Sequence, residues 1–92
     1  MTDPCARRLE IVNVKGLHAR ASAKLVELVE SFDAEADVSR AGNSASGDSI
    51  MGLLMLAASK GTFIDVKTSG PKAEELAQAI ETLVKDRFGE DM

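Results

Sequence analysis

The sequence contains no tryptophan and no tyrosine, and its aromatic residues are three phenylalanines. Val, Ile, Leu, Met and Ala must therefore fill whatever core the chain buries. Cys5 is the only cysteine, which excludes an internal disulfide and a thiolate metal cluster. His18 is the only histidine, so neither a metal centre nor a self-sufficient catalytic site is readily assembled, and no metal or cofactor is expected. No apolar run approaches the ~20 residues of a membrane-spanning helix. The opening MTDPCARRLE lacks the apolar stretch of a secretory leader, so a cytoplasmic protein is the expectation. A net charge of −4 argues against a nucleic-acid binder, whose affinity needs clustered Lys and Arg. What remains is one globular domain over residues 1–92, expected to be a monomer, with residues 1–6 as a loose start.

Hydrophobic periodicity divides the chain into seven segments. Leu9 to Val14 alternates, with Leu9, Ile11 and Asn13 set against Glu10, Val12 and Val14, and predicts a strand. Ala21, Leu25, Leu28, Val29 and Phe32 recur at helical spacing and predict an amphipathic helix over 19–32. Ala36, Val38 and Ala41 precede the turn signal Gly42-Asn43, so residues 35–46 predict a hairpin. Residues 49–58 form a short apolar helix that Asp48 or Ser49 could cap. Residues 63–68 alternate as a strand. Ser69-Gly70-Pro71 breaks the chain, with Pro71 suited to the first turn of a last helix. That helix carries Ala73, Leu76, Ala77, Ile80, Leu83, Val84 and Phe88 on one face, and Gly89 follows its end. The order βαββαβα, with one apolar face per helix, predicts an α+β fold in which three helices cover one side of a four-stranded antiparallel sheet.

The segment Lys15-Gly16-Leu17-His18-Ala19-Arg20-Ala21-Ser22 violates ordinary helix design. No Ser, Thr, Asp or Asn immediately precedes Ala19, so the first backbone N–H groups lack a side-chain cap. Lys15, Arg20 and Lys24 crowd the positive end of the helix dipole, while Glu27 and Glu30 lie towards its negative end. No acidic residue occurs between Glu10 and Glu27. A bound anion would resolve both conflicts, taking hydrogen bonds from the backbone at Ala19 and Arg20 and charge from the cations. Phosphate suits the planar donor fork of Arg20, and Gly16 would let the chain turn sharply into the helix. Neutral imidazole is nucleophilic, so His18 converts an anion site into a candidate phosphoryl-transfer site. Against this stands the plainer possibility that a lone histidine and three cations form a solvated face.

Gly16-Leu17-His18-Ala19-Arg20-Ala21-Ser22 resembles the active-site signature of HPr, the histidine-containing phosphocarrier of the phosphoenolpyruvate-dependent phosphotransferase system. Ser49-Ile50-Met51-Gly52-Leu53-Leu54, followed by Ala58-Ser59-Lys60-Gly61, is a second family-like segment. The resemblance spans Leu9 to Phe88 and implies the family's open-faced β-sandwich. It implies that His18 accepts a phosphoryl group on Nδ1 from enzyme I and passes it to an EIIA-type domain. Arg20 would contact the phosphoryl oxygens, and the carrier would have no turnover of its own. Ala21 replaces a proline common in the family, a change of rigidity more than of chemistry. Ser49 matches the serine modified by HPr kinase/phosphorylase in some bacteria, where a plain helix cap is the equal alternative. Ile50, Met51 and Leu54, with Lys24, match partner-binding positions, whereas Leu53 and Leu56 read as core. The second half, including Gly70-Pro71 and Ala73-Glu74-Glu75-Leu76, is similar to the nitrogen-related branch.

Two other functions fit parts of the pattern. An HPr-like adaptor acting only by binding, switched at Ser49, would not need His18 paired with Arg20. A small α+β phosphatase would need more titratable groups than this chain brings.

Overall fold

A computed structural model describes residues 4–92, and the element order is the expected one. Strands β1 (Cys5–Glu10), β2 (Glu35–Arg40), β3 (Asn43–Ser46) and β4 (Phe63–Ser69) form one antiparallel sheet in the order β1-β4-β2-β3. Helices α1 (Ala19–Glu30), α2 (Ile50–Met55) and α3 (Ala73–Lys85) complete the fold. Strand β4 is central, with Ile64 opposite Leu9 on one side and Val66 opposite Val38 on the other. These four side chains are buried and meet Leu25 and Val29 of α1 and Leu76, Ile80 and Val84 of α3. The other sheet face is charged, with Arg8 opposite Asp65 and Asp37 opposite Lys67. Opposite charges on directly facing residues suit a solvated surface.

The boundaries differ from the sequence reading for identifiable reasons. Strand β1 starts at Cys5, paired with Thr68, so residues 5 and 6 of the expected loose start belong to the sheet. The strand was hidden because Arg7 and Arg8 interrupt the apolar pattern. Residues 1–3 lie outside the described residues. Beyond Glu10 the strand ends, yet Ile11 stays tied to the neighbouring segment by Ile11 N–H to Thr62 O (2.9 Å) and Gly61 N–H to Ile11 O (2.8 Å). The in–out alternation therefore persists, and Ile11 and Asn13 are fully buried. The hairpin turns one residue earlier than expected, at Ala41 (φ +51°) and Gly42 (φ +84°). Two positive φ values in a two-residue loop match the right-handed twist of the strands they join.

Helix α1 stops at Glu30 because Ser31 closes it: its N–H (3.1 Å) and hydroxyl (2.6 Å) both donate to Leu28 O. Phe32, expected on the helix, instead packs against the core from the following turn. Helix α2 stops at Met55, not at residue 58, because Ala57 adopts a left-handed conformation (φ +51°). Pro71 lies in the turn before α3, whose N-cap is Lys72. Phe88 is fully buried as expected but not helical; it sits in a 3-10 turn over Arg87–Gly89 with φ +55°. Among the described residues no helix is long and apolar enough to cross a membrane.

Candidate functional site

Helix α1 begins with His18 as its N-cap, and no side chain caps it. Its first turn carries no acidic residue and its last turn no basic one. Helix α3 shows the contrast within the same chain, with Glu74 and Glu75 in its first turn and Lys85 in its last. Dipole complementarity is thus met in α3 and absent from α1. The backbone N–H groups of Ala19, Arg20 and Ala21 have no partner within their own helix. The first helical bond comes from Ser22 N–H to His18 O, at 2.8 Å.

The approach to His18 is set by a tight loop. Gly16 N–H donates to Asn13 O (3.1 Å), and Leu17 N–H donates to Ala58 O (2.8 Å). Gly16 has φ +66°, and a Cβ there would lie 2.5 Å from Ala58 O and 2.9 Å from Ser59 Cα. Glycine is required both by conformation and by contact. The left-handed Ala57 delivers Ala58 to this position, so the second family-like segment builds the base of the first.

His18 lies at a cleft of about 570 Å³ lined by Val14, Lys15, Ala19, Arg20, Glu90 and Asp91 among others. The ring is half-buried, and its Nε2 is hydrogen-bonded to Glu90 Oε2. The other carboxylate oxygen, Oε1, accepts from Asn13 Nδ2 at 2.9 Å. Burial of Glu90 would push its carboxyl up, but the hydrogen bonds from Asn13 and His18 and the charges of His18 and Lys15 together hold it below the usual carboxylate value. Arg20 is exposed and, among the described residues, forms no salt bridge. Lys24, expected at a partner-binding position, donates its ammonium to Phe88 O at 2.6 Å.

Ser49 is the N-cap of α2, its Oγ accepting from Gly52 N–H at 3.0 Å. Met51 is 72% exposed and Ile50 40%, Leu54 is half-buried, and Leu53 and Leu56 are core. Met55, which the sequence reading passed over, is 78% exposed. Two further residues went unsuspected at the site. Asn13 was read only as a residue on the inner face of a strand, and Glu90 lies past the last periodic segment. A polar residue on the apolar side of the predicted alternation was the available signal for Asn13.

Fold and cleft together define a class: a small open-faced sandwich that sets a single imidazole at the uncapped start of a helix, facing a cleft. The family model described as PTS HPr component phosphorylation site matches residues 5–86, and the chain belongs to that family. It is 44% identical over 84 residues to the phosphocarrier protein HPr of Cupriavidus necator, across 91% of this chain and 94% of that protein. To the phosphocarrier protein NPr of Escherichia coli it is 42% identical over 84 residues, across 90% of this chain and 93% of that one. The crystal structure of HPr-C-His from Thermoanaerobacter tengcongensis superposes with a TM-score of 0.91 at 31% identity, over 96% of this chain and 99% of that one. Proteins of this family carry phosphoryl groups without catalytic turnover, and phosphoryl carriage is the function class of this chain.

Proposed function

We propose that this chain accepts a phosphoryl group from enzyme I on His18 Nδ1 and passes it to an EIIA-type domain in the cytoplasm, acting as a monomer. The observation that carries the reading is the position of His18, as the uncapped N-cap of a helix whose start is cationic rather than acidic. With Nε2 bonded to Glu90, Nδ1 is the ring nitrogen left to react. The phosphoryl oxygens would take the backbone N–H groups of Ala19 and Arg20 and the Arg20 guanidinium. Those donors stand ready before transfer, so charge arriving on the phosphoryl group meets preorganised partners. Ile50, Met51 and Leu54, with the exposed Met55 beside them, supply an apolar docking surface.

The test is incubation with enzyme I and labelled phosphoenolpyruvate. Acid-labile label should appear on the unsubstituted chain and vanish in His18→Ala with the fold retained. Full labelling of the variant would remove His18 from the role.

Regulation at Ser49 by HPr kinase/phosphorylase is the second reading, and the cap geometry favours it. The Ser49 hydroxyl already faces the backbone at the start of α2, where a phosphate of roughly −2 charge would meet favourable dipoles. Its charge would fall beside Met51 and make desolvating that patch costly.

A further inference from the structure

We infer that Met51 and Met55 form a redox modification site, where a peroxide converts their thioethers to sulfoxides and turns off docking while the fold stays intact. The inference rests on the proposed reading that α2 supplies the surface on which the phosphoryl donor docks.

Sulfur is distributed in this chain against the usual pattern. Methionine is normally a core filler, because its side chain is unbranched, apolar and adaptable. Here the core is built from Leu, Ile, Val, Ala and Phe, and among the described residues no methionine is buried. Met51 is 72% exposed, Met55 78% and Met92 72%. The thiol of Cys5 belongs to a half-buried residue paired in the sheet, so the methionines are more open to an oxidant arriving from solvent. Met51 and Met55 lie four residues apart on α2 and share a face of it. The other side of the helix holds it in place: Leu53 is fully buried, Leu56 is buried just beyond the last turn, and Ser49 caps the start. Oxidation therefore reaches the outer side of α2 and leaves its anchors alone.

The chemistry needs only a hydroperoxide as oxidant. A sulfur lone pair attacks a peroxide oxygen, the S–O bond forms as the O–O bond breaks, and hydroxide departs. That hydroxide takes the proton from the sulfur-bound oxygen and becomes water. Sulfur loses two electrons and the peroxide gains them. Return needs a reductase with two thiols, which become a disulfide as the sulfoxide oxygen leaves as water. A thioether is a weak acceptor and gives up little on meeting an apolar partner. A sulfoxide is strongly polar, and covering its oxygen without a donor is costly. The rest of the patch is Ile50, 40% exposed, and the half-buried Leu54, so neither neighbouring side chain offers a donor. In a core the same change would disrupt packing, whereas on this surface it is reversible without refolding.

The experiment treats the full chain with hydrogen peroxide, removes the oxidant, and then measures the initial rate of phosphoryl acceptance from untreated enzyme I. Peptide mass mapping should show one added oxygen at Met51 and at Met55. The rate should fall about tenfold, the scale of burying one poorly paired polar group. The melting temperature should stay within a few degrees, and methionine sulfoxide reductases of both epimer specificities should restore the rate. The double variant Met51→Leu, Met55→Leu is read as its own ratio of treated to untreated rate, which should be near one. Met92→Leu should keep the full response to peroxide. Sulfurs that stay unoxidised, an unchanged rate with both sulfoxides present, or an equal loss in the double variant overturns the inference while leaving the carrier reading standing. A slower rate accompanied by early melting makes the change damage to the fold and overturns it too. Absence of label on the untreated chain overturns the carrier reading itself, and the switch falls with it.

Discussion

Replacing Gly16 with alanine is the sharpest test of how the loop before His18 is built. The backbone there has φ +66°, in the left-handed region, which costs an L-residue about 1–2 kcal/mol. The new methyl would also stand 2.5 Å from Ala58 O and 2.9 Å from Ser59 Cα. Both are backbone atoms, so no rotamer change can relieve the contact. The loop and the segment after α2 must instead part by roughly an ångström, an overpacking cost of about 1–3 kcal/mol. The Leu17 N–H to Ala58 O bond, at 2.8 Å, spans the same gap and would be strained with it. A total of about 2–5 kcal/mol follows, or a melting temperature lower by roughly 10–30 °C in a domain of this size. Gly42→Ala is the control, because φ is +84° but, apart from its chain neighbours, no atom of the described residues lies within 4 Å of the added carbon. It should lose only the conformational part, about 1–2 kcal/mol, and keep normal phosphoryl acceptance. Thermal unfolding by circular dichroism and labelling by enzyme I are the two assays. If Gly16→Ala melts no lower than Gly42→Ala and still takes label, the steric argument is wrong.

The remaining expectations concern the rest of the site. Arg20→Ala should slow transfer with an unchanged melting temperature, since an exposed cation with no salt bridge to the described residues contributes little to stability; equal transfer rates would remove it from the site. Met51→Asp should impair acceptance from enzyme I without unfolding, whereas Leu53→Ala should cost about 2–5 kcal/mol of stability; a Met51 variant that melts early would make that residue core. Ser49→Ala should cost about 0.5–2 kcal/mol through the lost cap, while phosphorylated Ser49 should keep its helix and slow acceptance; unaltered transfer would leave Ser49 a cap. Glu90 has a lowered value in the folded chain, so its contribution is fully present above the unfolded carboxylate value, ~4.3, and is lost as pH falls through the lower folded value. The Nε2 proton signal of His18 should follow that acid transition, and a signal that survives it would mean the proton is held elsewhere.

Legibility in the sequence followed the reach of each interaction. Buried alternation was readable because it is local: Leu9, Ile11 and Asn13 point inward whether or not they are formally a strand. The uncapped helix at His18 was readable for the same reason, since a missing cap and missing acids are visible within four or five residues. Helix ends were less legible. Ala57 stops α2 in a conformation that alanine seldom adopts, and the reason lies in Ala58 O reaching Leu17 N–H, 41 positions away. Pro71 carried an N-terminal helix signal, yet the turn that holds it is fixed by Lys72 N–H to Asp33 O at 3.1 Å, a contact from another element. Lys24 read as a cation for a partner because nothing nearby in sequence competes for it. Within the chain its ammonium bonds the Phe88 carbonyl, which follows the last helix.

Glu90 marks where local reading ends and explains a feature of the site that local reading raises without answering. A cation-rich helix start with no acidic neighbour suits an incoming phosphoryl group, but under the proposed function it would leave the phosphorylated ring without a counter-charge from that turn. An acid placed in the first turn of α1 would supply one and would also repel the phosphate from the same amides. Bringing the carboxylate from the far end of the chain separates these two demands. Glu90 reaches Nε2, the ring nitrogen that would not receive the group under the proposed function, while Ala19 and Arg20 line the same cleft. The two ends of one imidazole then see opposite charges. On this reasoning a carboxylate moved into the first turn, as in Ala19→Glu, should not replace Glu90. Combined with Glu90→Gln it should lower acceptance further, because it repels the phosphoryl oxygens from the amides they need. A double variant that recovers full acceptance would show that net charge near His18, and not its placement around the ring, is what matters.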